Sequence, residues 1–144
     1  MPKILLVDDV YMARSMAERV LTHVGRYTVR SVASGAEAID AALADAPDLL
    51  ILDISMAGMD GITALHELRD RGVACPAIAF TARTERTPGE FKNHGFNAYV
   101  SKTGDLSSLL ETVRAVLGSR VWDQQAAFGL RCGMILCVAV DRIV

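Results

Sequence analysis

Five polar residues stand where runs of apolar residues stop. Asp8 and Asp9 follow Ile4-Leu5-Leu6-Val7, and Asp53 follows Leu49-Leu50-Ile51-Leu52. Thr81 closes Pro76-Ala77-Ile78-Ala79-Phe80, and Lys102 follows Asn97-Ala98-Tyr99-Val100-Ser101. Singly each has a plain structural reading: the acids and Thr81 as helix caps or turn formers, Lys102 as a surface lysine. As a set they ask for chemistry. Three carboxylates packed together repel, and some would hold a proton at neutral pH unless a cation joined them. A hard cation with oxygen ligands fits, Mg²⁺ beside phosphate above all. Lys102 then adds a point charge and Thr81 a hydroxyl donor, both suited to the equatorial oxygens of a phosphoryl group in transfer. Asp53 becomes the nucleophile, because a carboxylate can form an acyl phosphate.

For these residues to meet, the apolar runs must be neighbouring strands. Four consecutive large aliphatics, Leu49 to Leu52, suit a strand buried on both faces, as in a parallel sheet covered by helices. Tyr27 to Val32 alternates instead, as a strand nearer the sheet edge would. Between the strands, Val10, Ala13, Met16, Ala17, Val20, Leu21 and Val24 recur at helical spacing before Gly25. Ser34-Gly35-Ala36-Glu37 has the spacing of a capping box, opening a helix to about Asp45. Asp60 can cap a helix with Ile62, Leu65 and Leu68 inward and Gly72 at its end. The polar segment from Ala82 to Gly95, interrupted by Pro88-Gly89, predicts at most a short, mobile helix. Leu106, Leu109, Leu110, Val113 and Val116 or Leu117 line the last helix, which Gly118 is expected to stop. Five strands alternating with five helices predict a doubly wound α/β sandwich. Its right-handed crossovers bring the five residues to one sheet edge, where such folds bind ligands.

The chain has 144 residues, is 51% hydrophobic and carries a net charge of −2. One domain with a substantial core follows, and no basic patch for direct nucleic-acid binding. The 3 cysteines, Cys75, Cys132 and Cys137, show no metal-ligand spacing and read as reduced thiols. The short apolar N-terminus is no signal peptide and no segment is long enough to span a membrane, so a cytoplasmic protein is expected. His23, His66 and His94 share no spacing and read as ordinary surface or half-buried residues. Met12, Met16, Met56 and Met59 read as core or loop filling. No Gly-x-Gly-x-x-Gly follows the first strand, which disfavours a dinucleotide fold. A haloacid-dehalogenase-type phosphatase would carry a second Asp where Ser55 stands.

From Lys3 to Gly118 the chain resembles the receiver domain of bacterial two-component response regulators, of the chemotaxis-receiver kind. The motifs are Ile4-Leu5-Leu6-Val7-Asp8-Asp9, Leu52-Asp53 with Gly58-Met59-Asp60-Gly61, Phe80-Thr81-Ala82 and Tyr99-Val100-Ser101-Lys102. The resemblance implies a flavodoxin-like (βα)5 three-layer sandwich with parallel strand order 2-1-3-4-5. It implies Asp53 as phosphoacceptor, and Asp8, Asp9, Asp53 and the main-chain carbonyl of Ser55 as Mg²⁺ ligands. Thr81 and Tyr99 match the switch positions and Lys102 the lysine of the motif. Ser55 and Arg83 occupy positions that tune phosphoryl lifetime. Two departures stand out: Thr103 follows the lysine where proline is usual, and Met56-Ala57 replaces Met-Pro.

The resulting expectation is a phosphoryl-accepting switch rather than a turnover enzyme. Asp53 takes phosphoryl from a sensor histidine kinase or phosphotransfer protein, and a downstream protein target reads the change. Two other readings compete: a pseudo-receiver that binds proteins without phosphorylation, and the receiver fragment of a transcriptional regulator. Residues 1–118 form the receiver. Residues 119–144 are an apolar extension too short for a helix-turn-helix. Its run Met134–Val140 suits a strand that needs a partner surface, whether its own domain, a second copy or a client protein. A disordered extension is the plain alternative. Docking anchored by Trp122 and Phe128, most commonly as a homodimer, is the favoured expectation.

Overall fold

The computed structural model describes residues 2–82, 88–103 and 106–125. Strands β1 (Lys3–Val7), β2 (Thr28–Val32), β3 (Leu49–Leu52), β4 (Ala77–Thr81) and β5 (Ala98–Ser101) alternate with five helices. These are α1 (Tyr11–Arg19), α2 (Gly35–Ala44), α3 (Gly61–Asp70), α4 (Pro88–Asn93) and α5 (Leu106–Gln125). Every strand pairing is parallel, and the sheet order is β2-β1-β3-β4-β5. This is the flavodoxin-like three-layer sandwich.

The strand sequences are continuously apolar because both faces are covered. Leu5, Val7, Leu50, Leu52, Ala77, Ala79 and Tyr99 join the core beneath α2 and α3. Their neighbours Ile4, Leu6, Leu49, Ile51, Ile78, Phe80, Ala98 and Val100 join the opposite core with Leu21, Leu109 and Val113. Edge strand β2 is only half-buried, which accounts for its alternation. The capping signals are made as well. The Ser34 hydroxyl accepts from Glu37 N at 3.2 Å, and the Asp60 carboxylate from Thr63 N at 2.7 Å. Gly72, at φ +88°, turns the chain out of α3.

The expectations for the first and last helices are corrected. Past Arg19 the first helix widens into a π-helical turn, Val20–Val24, so its apolar residues do not share one face. Ala17 and Leu21 are buried, whereas Val10, Met12, Met16 and Val24 are exposed. The short helix expected in the polar segment is α4, which begins at Pro88, where a proline's missing N–H costs nothing. Gly118 does not stop α5, which continues to Gln125. Its φ is not positive, and an interior glycine costs only about 1 kcal/mol against alanine, too little to end a helix alone. The expected boundary at residue 118 therefore falls inside a helix. Residues 126–144, with Phe128 and the Met134–Val140 run, lie outside the described residues, as does Arg83.

Candidate functional site

Strand register assembles the site. Val7 is paired with Leu52, and the next amide, Asp53 N, donates to Val7 O at 2.9 Å, so Asp8 and Asp53 leave the sheet side by side. Thr81 is paired with Ser101, and Lys102 N donates to Thr81 O at 2.9 Å. The carboxyl ends of β1, β3, β4 and β5 thus share one edge.

Asp8 and Asp53 are both 4% exposed, and Asp9 is exposed. Lys102 Nζ lies 2.5 Å from Asp8 Oδ2 and 3.2 Å from Asp53 Oδ2, bridging the two buried acids. Its ammonium also sits 5.6 Å from the centroid of the Phe80 ring. Asp8 is fixed by the Val10 amide, which donates to its carboxylate at 2.9 Å, and by Arg14, whose guanidinium donates to its carbonyl at 2.7 Å. Helix α1 has no side-chain cap bond at its N-terminus, so neither Asp8 nor Asp9 serves as its cap. Asp9 accepts from Ala57 N at 3.3 Å and Asp53 from Ser55 N at 3.2 Å. Burial pushes the Asp53 carboxyl above its ordinary range. Lys102 opposes that shift by charge, Asp8 adds to it, and hydrogen bonds from Lys102 and Ser55 N again oppose it.

Oxygen atoms of Asp8, Asp9 and Asp53 all lie within 4.8 Å of one another. That donor set is hard, anionic and open on the Asp9 side, and it fits Mg²⁺. The loop following Asp53 packs against the acid's own backbone. A Cβ at Gly61 would stand 2.2 Å from the Asp53 carbonyl oxygen, and Gly61 N donates to Ile54 O at 3.1 Å. Only glycine lets α3 begin so close to the acid.

Thr81 is fully buried at the end of β4, and Tyr99 is buried in β5 with its ring stacked on Phe91, 4.8 Å between centroids. Where proline is usual, Thr103 N donates to Ser101 Oγ at 3.2 Å, and the two hydroxyls lie 2.6 Å apart. The described peptide bonds are all trans, Lys102–Thr103 included. The structure thus brings Asp8, Asp9, Asp53 and Lys102 into contact, with Ser55 and Thr81 alongside and Tyr99 in the core. Sequence reasoning missed Arg14, whose one signal is its place a helical turn after Val10. It also missed Phe91, a lone aromatic in a polar segment.

Against known proteins, the family model described as the response regulator receiver domain matches residues 4–114. Response regulator MprA of Mycobacterium ulcerans is 36% identical over 129 residues, covering 87% of this chain and 54% of that protein. The chain therefore spans about half the length of the curated relatives it matches. Among solved structures, Vibrio cholerae chemotaxis protein CheY4 is similar with TM-score 0.73 and 29% identity, over 81% of this chain and 98% of that one. Response regulator protein TrrA from Thermotoga maritima, in complex with Mg²⁺-BeF, gives TM-score 0.72 and 28% identity, over 81% and 99%.

Proposed function

The chain belongs to the response regulator receiver family, and on that premise we propose that it is the phosphoryl-accepting switch of a two-component phosphorelay. An Asp53 carboxylate oxygen attacks phosphorus of a phosphohistidine on a sensor kinase or phosphotransfer protein. The P–N bond breaks, imidazole leaves, and an aspartyl phosphate forms that water later hydrolyses. Lys102, already against Asp53 Oδ2, meets the charge of the arriving phosphoryl oxygens, and the Thr81 hydroxyl donates to another. Asp8, Asp9, Asp53 and the Ser55 carbonyl would hold Mg²⁺, which when bound supplies positive charge to the phosphoryl oxygens. Ser55 and Arg83, by their places in the sequence, match the positions that tune phosphoryl lifetime in the family. Movement of Thr81 toward phosphate frees the Tyr99 ring to shift, and a protein target reads the remodelled face.

The observation that carries this reading is the Lys102 ammonium bridging two buried carboxylates at one sheet edge. The test is to incubate the protein with acetyl phosphate and Mg²⁺ and weigh it intact. One added phosphoryl group is expected on the native chain and none on Asp53→Asn. Labelling of the variant at the native rate would remove Asp53 from the role. No labelling of the native chain would leave a receiver fold that binds partners unphosphorylated.

A further inference from the structure

Two histidines that share no sequence spacing meet between α3 and α4, away from the acid cluster. The rings of His66 and His94 lie 5.8 Å apart between centroids, tilted by 40°. Both backbones are fixed. His66 follows Leu65 on α3, and both Leu65 and Leu68 are fully buried. His94 N donates to Glu90 O at 3.2 Å and Phe91 O at 3.1 Å, closing the last turn of α4. Phe91 and Phe96, on either side of His94, sit in the same core cluster as Leu65 and Leu68. A Cβ at Gly95 would lie 3.7 Å from Leu65 Cδ2, so this turn packs directly on α3. The rings themselves face outward: His66 is exposed and His94 half-buried.

Two imidazoles bound to one tetrahedral zinc, at the usual ~2.0–2.1 Å from metal to nitrogen, hold their ring centroids about 5 Å apart. The observed 5.8 Å is within about 1 Å of that value. We propose that His66 and His94 form a binding site for a nitrogen-preferring divalent transition metal, bridging α3 and α4. Donor chemistry keeps it distinct from the acid cluster, because imidazole suits zinc, copper and nickel whereas carboxylate and water suit magnesium. Among the described residues, Asp8, Asp9 and Asp53 form the one cluster of three such donors, so water completes the coordination at the histidines. Asp70 lies one helical turn after His66 and Glu90 one turn before His94, adding negative charge on the same helix sides. A metal here ties α4 to α3 beside the Phe91–Tyr99 stack, and so restrains the short helix next to the switch tyrosine.

The full chain, with Mg²⁺ in excess to occupy the acids, is titrated with Zn²⁺ while the imidazole ring resonances are followed by NMR. The His66 and His94 rings are expected to shift together and saturate at one equivalent, with the His23 ring unmoved. In His66→Gln and in His94→Gln the apparent affinity at the remaining ring should fall by at least ~10-fold. The site is overturned if zinc moves only one of the two rings, or moves His23 equally. It is also overturned if the response persists at native affinity in either variant, or if the rings do not respond at all.

Discussion

Asp53 is expensive to ionise where it stands, and that expense is measurable. Burial raises its pKa above the ordinary 3.8, with Asp8 adding to the effect and Lys102 opposing it. The native state therefore holds this proton more tightly than the unfolded chain does. Stability attributable to Asp53 falls as pH rises from 3.8 through the raised native value, and the deficit persists above it. In metal-free buffer at neutral pH, Asp53→Asn should thus melt a few degrees above the native protein, and the advantage should shrink on acidification through that window. An advantage that is absent at neutral pH, or that grows with acid, would show Lys102 outweighing burial. Gly61→Ala probes the same acid from its backbone side. Its methyl would meet the Asp53 carbonyl at 2.2 Å, and backbone cannot rotate away as a flexible side chain could. A loss of about 1–3 kcal/mol in chemical denaturation is expected, with slower phosphate incorporation as Asp53 is displaced. Native stability and native labelling in Gly61→Ala would refute the close approach. At this scale the sequence was informative because Asp8, Asp53, Thr81 and Lys102 each end an apolar strand. The grip of Arg14 on the Asp8 carbonyl was not legible, since a place one helical turn after Val10 does not by itself set it apart from a surface arginine.

Among the elements, α4 depends most on one contact. It has six residues, well under the length at which an isolated helix holds in water. Its anchor is Phe91, 1% exposed, stacked on Tyr99 at 4.8 Å and edge-on to Phe96 at 6.0 Å. Phe91→Ala should cost roughly 3–5 kcal/mol and release α4 before the rest of the fold. Amide exchange in residues 88–95, expected to be faster than in α1 already, should accelerate further while α1 changes little. Exchange in 88–95 as slow as in α1 would contradict the weak-helix reading. No acceleration in the variant would dismiss the anchor. Strands and capped helices were readable here because periodicity and caps are local signals. The course of α5 through Gly118 was not, since propensity sets only a cost of about 1 kcal/mol that a continuing helix can absorb. Nor was the Phe91 contact, which comes from the sheet register placing Tyr99 beneath it.

At the scale of the whole chain, β2 and β5 are the two edge strands. Only β2 shows it by being half-buried, whereas β5 is mostly buried, like the central strands. Strand β2 pairs with β1 on one side only, and β5 closes the other edge with β4. The sequence beyond residue 125 contains the unbroken apolar run Met134–Val140, β-branched toward its end. Such a run left in water promotes association, and a sheet edge is the surface best able to pair with it. In a protein of one such chain, the symmetric outcome would be exchange between two copies, each run pairing with one sheet edge of the other copy. The informative truncation is after Gln125, because a cut at Gly118 would remove the last turns of α5 along with the extension. Light scattering should give a dimer mass for the full chain and a monomer mass for residues 1–125, with melting of the receiver core unchanged. Equal masses for the two proteins would show that the extension takes no part in self-association, and a truncated chain that still dimerises would move the interface onto the receiver itself.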